Sequence, residues 1–258
     1  MSTIWLQRLA PRPNAKARLF CFPYAGAGAA VYRQWGAGIP DYLEVCAVQL
    51  PGRGNRLREA PLTRLPAIVD ALVDALSPHF DLPFAFFGHS MGAVVAYELA
   101  RALAGRNGRA PFHLFLSGRH PPRMPDPAGT LHTLDDAAFI VEIDRRYGGI
   151  PAEVLREPEV LALLLPCLRA DIAALETHRP LARRPLDMPI SVYGGNEDRL
   201  TPTEHLDAWR TETTGAFRTR TFPGGHFYLE PQRPALLADL VASLAPLPAG
   251  RHCEGTAA

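Results

Sequence analysis

Lysine is almost missing from this sequence: Lys16 is the only one among 27 lysine and arginine residues in 258. The 26 acidic residues leave a formal net charge of +1, so there is no electrostatic case for nucleic-acid or membrane binding. Cysteine is sparse too. Cys21, Cys46, Cys167 and Cys253 are scattered without a C-x-x-C pair, which excludes a zinc site or disulfide framework as the expectation and leaves four free, mostly buried thiols. No apolar run approaches transmembrane length. The first twenty residues lack the charged start, unbroken apolar core and small-residue cleavage site of a signal peptide, so cytoplasmic residence is expected.

What the sequence does contain is alternation. Short apolar, β-rich runs recur at 17–22, 44–50, 84–88, 113–118, 190–195 and 217–222. Most read as strands apolar on both faces, as a parallel sheet covered by helices requires. Helical patterns lie between several of them, at 65–80, 93–106 and 234–244. The combination predicts an α/β fold, a mostly parallel, doubly wound sheet flanked by helices, in a single domain over residues 1–258. The alternation breaks between 120 and 189, where only helical stretches occur, at 135–149 and 158–179. Ligands bind beyond the carboxyl ends of strands in such sheets, so this insertion is expected to roof the site as a lid.

Within the run "FFGHSMGAVVAYELAR", Gly88-His89-Ser90-Met91-Gly92 fits G-x-S-x-G at a strand-to-helix junction, the context that a nucleophile turn requires. Glycines at 88 and 92 would let strand and helix approach closely. A helix N-cap is the plainer use of a serine there. A reactive serine needs a base and an orienting acid, and candidates follow in the order Ser, Asp, His. Asp198, in "YGGNEDRLTP", comes directly after the strand at 190–195, with Glu197 as its rival. His226, in "FPGGHFYL", follows the strand at 217–222, while His89 lies inside the turn and should point away from the substrate. Ser90 would attack a carbonyl carbon, His226 would carry the proton, and Asp198 would fix the imidazole tautomer. The negative charge that forms on oxygen needs donors: the N–H of Met91 at the helix N-terminus and, from the glycine-bearing loop "FPYAGAGA", the N–H of Ala25. A phosphate cradle is disfavoured there because G-x-x-x-x-G-K-[ST] is absent.

Six blocks, "LFCFPYAGAGAAVYRQW", "VQLPGRGNRLREAP", "FFGHSMGAVVAYELAR", "LLPCLRADIAALETHR", "YGGNEDRLTP" and "FPGGHFYL", together resemble the type II thioesterases of polyketide and nonribosomal peptide biosynthesis, within the α/β-hydrolase fold. The resemblance spans nearly the whole chain. It departs at Ala27, where members often carry another glycine, and in "NEDR", which keeps Glu197 open. It implies hydrolysis of acyl thioesters on the phosphopantetheine arm of acyl or peptidyl carrier proteins. Ser90, Asp198 and His226 would be the triad, Ala25 and Met91 the oxyanion hole, with no metal or cofactor of the enzyme's own. The apolar residues Phe139, Ile143, Leu164 and Leu168 could hold the acyl chain, and Arg53, Arg56 and Arg58 could dock an acidic carrier. A carboxylesterase or lipase would use the same triad, whereas a non-catalytic scaffold on this fold would be expected to have lost a triad member.

Overall fold

The structure, a computed structural model, describes residues 4–105, 109–124, 130–148, 150, 152–181, 183–245 and 247. A seven-stranded sheet runs through it: β1 (Leu6–Arg8), β2 (Ala17–Phe22), β3 (Leu43–Val48), β4 (Phe84–His89), β5 (Leu114–Ser117), β6 (Ile190–Gly195) and β7 (Phe217–Phe222). Their spatial order is β1-β3-β2-β4-β5-β6-β7. Only β1 is antiparallel, pairing Leu6 with Val48 at the edge. All six expected strands are present, three of them with the expected ends and β3, β4 and β5 with ends shifted by a residue or two. β1 was not foreseen, because three residues carry no periodicity to read.

Burial of every residue in β2, β3, β4, β5 and β6 follows from covering both faces. Alternate side chains serve opposite layers. Phe20, Phe22, Phe86, Leu116 and Val192 join one cluster, packed beneath α1 (Leu65–Leu76) and α2 (Met91–Ala104). Leu19, Cys21, Phe87, Phe115 and Tyr193 join the other. Burial of one such large side chain contributes about 1.5–3 kcal/mol. In α1 the buried residues Leu65, Ile68, Val69, Leu72, Val73 and Leu76 form one helical stripe. The helix stops short of the expected residue 80 because Pro78 has no N–H to continue it, and the chain tightens into a 3-10 turn over Ser77–His79.

Between β5 and β6 the described residues form α3 (Asp136–Tyr147), α4 (Ala152–Leu155) and α5 (Pro158–Glu176), and no strand of the sheet. Asp135 caps α3 by accepting from the Ala138 N–H, and Gly148, at φ +60°, ends it in the left-handed conformation. After β6 come α6 (Thr203–Asp207) and, after β7, α7 (Arg233–Ser243). Cys21, Cys46 and Cys167 are buried and free. Burial pushes the thiols of Cys46 and Cys167 up to about 12 and that of Cys21 well above its ordinary value, so none is poised to react. Cys253 lies outside the described residues.

The strand order fixes where a site can form. From β2 the chain moves to neighbouring β3, then crosses back over β2 to β4. The order reverses between β2 and β4, and a crevice opens beyond their carboxyl ends.

Candidate active site

Ser90 connects β4 to α2 with φ 54° and ψ −115°. Among the described residues it is the only non-glycine with positive φ, the kind of backbone strain that persists only where its surroundings enforce it. They do so here. A Cβ on Gly88 would meet the Gly92 carbonyl oxygen at 2.0 Å. The Ser90 N–H is held by the Ser117 carbonyl of β5 at 2.7 Å. The hydroxyl makes no capping hydrogen bond to the helix; Oγ lies 3.0 Å from His226 Nε2 instead. The N-cap use of this serine is thereby overturned.

His226 Nδ1 lies 2.7 Å from Asp198 Oδ2. The turn after β6 presents Asp198, whose carboxylate also accepts from the Thr201 hydroxyl at 2.6 Å and the Leu200 N–H at 3.0 Å. Burial works to raise this carboxyl, but hydrogen bonds from His226, Thr201 and Leu200 outweigh it and hold it at about 2. Glu197 is exposed, so between the two rivals the geometry selects Asp198. All three side chains are nearly inaccessible, at 5%, 6% and 7% exposure for Ser90, Asp198 and His226. Their hydrogen bonds are therefore little screened by water.

Beneath His226 sits His89, fully buried, with ring centroids 5.0 Å apart. Burial first, and then His226, pushes its imidazole well below its ordinary value, so it remains neutral. Its Nδ1 meets Ser117 Oγ at 2.8 Å, and that hydroxyl meets Tyr228 OH at 2.7 Å. As expected, His89 turns away from the cavity, and its ring packs against that of His226 from below.

The loop after β2 lies beside Ser90. Phe22 pairs with Gly88 across β2 and β4, so the two strands end together. The N–H groups of Ala25 and Met91 donate to no acceptor among the described residues, which leaves both free for an anion. The loop is heavily braced. Ala27 N–H donates to the Tyr24 carbonyl at 3.0 Å, and the Gln49 side chain accepts from Ala29 N–H at 2.7 Å while donating to the Arg53 carbonyl at 2.7 Å. Ala27 needs no positive φ, so alanine is accommodated where a glycine was the expected residue.

A cavity of about 260 Å³ opens from Ser90 and His226 beneath the inserted helices. Ile143 and Tyr147 of α3, Val154 of α4, and Leu164, Leu168 and Ile172 of α5 line it. Phe139 does not. It packs with Leu131, Ile143 and Ile172 in a separate core, with the Arg169 guanidinium 4.3 Å from its ring centroid. Two of the arginines expected to dock a partner are also misplaced by that expectation. Arg53 is buried against Asp171, and Arg56 is buried between Glu59 and the Trp5 ring, 3.8 Å from its centroid. Only Arg58 is exposed. Sequence reasoning passed over Thr201, Gln49 and Asp171. The one signal for the last was a carboxylate inside the apolar run of "LLPCLRADIAALE".

Comparison with known proteins places these features in company. The family described as "Thioesterase domain" matches residues 17–244. Gramicidin S biosynthesis protein GrsT of Aneurinibacillus migulanus is 41% identical over 225 residues, 87% of this chain and 88% of its own. Linear gramicidin dehydrogenase LgrE of Brevibacillus parabrevis is 42% identical over 245 residues, 93% of this chain and 92% of its own. The solved structure of the type II thioesterase BorB from the borrelidin biosynthetic cluster superposes with a TM-score of 0.86 at 34% identity, covering 95% of this chain and 99% of that one.

Proposed function

Since the chain belongs to the thioesterase domain family, whose members hydrolyse thioesters, we propose that it acts as a type II, editing enzyme that clears acyl groups from the phosphopantetheine arm of acyl or peptidyl carrier proteins. One observation carries this reading: a hydrogen-bonded chain from Ser90 through His226 to Asp198 opens onto an apolar cavity under the helices between β5 and β6.

In the proposed reaction Ser90 Oγ attacks the thioester carbonyl carbon as His226 Nε2 takes its proton. The N–H groups of Ala25 and Met91 receive the developing oxyanion, the latter at the positive end of α2. Collapse breaks the C–S bond, and the pantetheine thiolate leaves with the proton from His226. Water then attacks the acyl-serine, His226 takes its proton and returns it to Ser90, and the carboxylic acid departs. Asp198 keeps the proton on Nδ1 and stabilises the imidazolium. A thiolate leaves readily, so the acid half of the task is light. The pantetheine belongs to the partner, and these steps call on no metal or cofactor of the enzyme.

The name of LgrE describes a different chemistry, and this chain offers little purchase for it. A dinucleotide fingerprint G-x-G-x-x-G beginning at Gly26 would need glycine where Val31 stands. The Gly26 N–H, which such a loop would turn to a pyrophosphate, is taken by the Asp171 carboxylate at 2.7 Å.

Among the described residues no helix is long and apolar enough to cross a membrane, and cytoplasmic residence alongside a synthase is part of the proposal. Docking by the loop after β3 would fall to Arg58. The test is turnover of an acyl-carrier thioester against an aryl ester of the same acyl group. The thioester should be preferred, and Ser90→Ala should lower kcat by about five to six orders of magnitude. Equal or better rates on the aryl ester would make this a carboxylesterase, and undiminished turnover by Ser90→Ala would remove the mechanism altogether.

A further inference from the structure

Asp171 has no exposed surface, and the steps above do not use it. Carried on α5, it sends both oxygens to other elements. Oδ2 accepts from the Gly26 N–H at 2.7 Å and from Arg53 Nη1 at 2.6 Å, and Oδ1 accepts from Arg53 Nη2 at 2.8 Å. Arg53 Nη1 also donates to the Ala27 carbonyl at 3.2 Å. One carboxylate therefore joins α5, the loop after β3 and the loop after β2.

The contact falls at a sensitive place. Ala27 N–H donates to the Tyr24 carbonyl, closing a turn over residues 24–27. Its third residue, Gly26, has φ +76°, as a type II turn demands. The Tyr24 carbonyl and the Ala25 N–H belong to one rigid peptide plane. Holding that oxygen fixes where the Ala25 N–H points. The next plane carries the Gly26 N–H, and a type I turn would face it the opposite way. Asp171 stabilises one of these two orientations by accepting from it. Through Arg53 the same carboxylate also holds the Ala27 carbonyl, so with α5 lifted the turn loses its outside anchors at both Gly26 and Ala27, and with them what keeps its first plane, the one carrying the Ala25 N–H, in place.

We infer that Asp171 is a positioning residue that couples the seating of α5 to the oxyanion loop, so the Ala25 N–H is aimed at the reaction only while the inserted helices are closed. The inference rests on the role proposed above for Ala25. Chemistry then proceeds only in a closed, water-shielded cavity.

A purely structural ion pair predicts something different. Removing one partner of a buried pair destabilises strongly, whereas apolar replacement of both is often neutral. The double variant Arg53→Met/Asp171→Leu should therefore recover the melting temperature that Asp171→Ala loses, yet still offer Gly26 no acceptor. Its kcat on an acyl-pantetheine should be about 10- to 100-fold below wild type, below the cost of losing an oxyanion donor outright. Asp171→Asn, which keeps an oxygen for Gly26, should recover part of that loss. The deciding readout is a ratio of affinities: an acyl trifluoromethyl ketone, which forms a tetrahedral adduct with Ser90, against the matching thioether, which does not. In every folded variant lacking the acceptor, this ratio should fall with kcat while thioether binding stays constant. An unchanged ratio in Asp171→Ala, or in the double variant, overturns the inference. So does loss of thioether affinity in step with kcat. Wild-type enzyme that binds the ketone no tighter than the thioether would instead sink the proposed serine mechanism, whatever the Asp171 variants do.

Discussion

The carbonyl oxygen of Phe22 lies 2.0 Å from where a Cβ on Gly92 would stand. The end of β2 thus presses against the first turn of α2, which brings the loop carrying Ala25 beside the amide of Met91. The two N–H groups proposed to receive the oxyanion belong to elements far apart in sequence that meet because a side chain is missing between them.

Substitution of that glycine should show how tightly the arrangement is held. Gly92→Ala sets a methyl against backbone that cannot rotate away, and relief requires parting β2 from α2. The cost should exceed about 3 kcal/mol, the upper end of ordinary overpacking. Thermal or denaturant unfolding of the variant checks it. Wild-type stability would mean the crevice has slack.

The choice between Asp198 and Glu197 can be tested directly. Asp198→Asn keeps the shape but should favour the wrong imidazole tautomer, lowering kcat by about 10⁴. Glu197→Gln, at an exposed neighbour, should leave kcat within about twofold, as expected of a surface change. The reverse ranking in steady-state kinetics would reassign the acid.

Much of this site was legible in the sequence because its residues sit just past the ends of readable strands. Ser90 and Asp198 follow runs buried on both faces, and His226 follows the half-exposed edge strand β7, so sheet topology carries all three to one edge. Arg53 was misread for an equally physical reason. An arginine in a glycine-rich loop reads as solvated unless its partner is known, and the partner is 118 residues away on another element. Phe139 shows a second limit. Helical periodicity tells which face of α3 is buried, but not whether that face meets a cavity or another core.

Acid should loosen the protein through Asp198. Its carboxyl is lowered from an ordinary 3.8 to about 2 in the folded chain. Above the unfolded value both states are ionised and the stabilisation is fully present. As pH falls from about 4 through 2, the unfolded chain takes up its proton first and the stabilisation, about 2 kcal/mol, is lost. Unfolding free energies measured across that window should decline more steeply for wild type than for Asp198→Asn. Parallel curves would mean that the carboxyl is not depressed.

The apolar cavity and the core behind it should respond differently to substitution, although both lie under the same helices. Leu164 lines the cavity from α5 and is 41% exposed, so the larger ring of Leu164→Trp can swing inward without prying the helices apart. It should shorten the space open to an acyl chain and lower kcat/KM for a dodecanoyl thioester relative to an acetyl one by about 10- to 100-fold, the scale on which apolar pockets discriminate. Phe139→Ala should do the reverse: a loss of stability of about 3–5 kcal/mol, as for deletion of a buried aromatic ring, with chain-length preference retained. Assaying both variants on the two thioesters beside their unfolding curves separates the roles. If Phe139→Ala shifted chain-length preference as much as Leu164→Trp, the acyl group would reach deeper than the cavity between α3 and α5 allows.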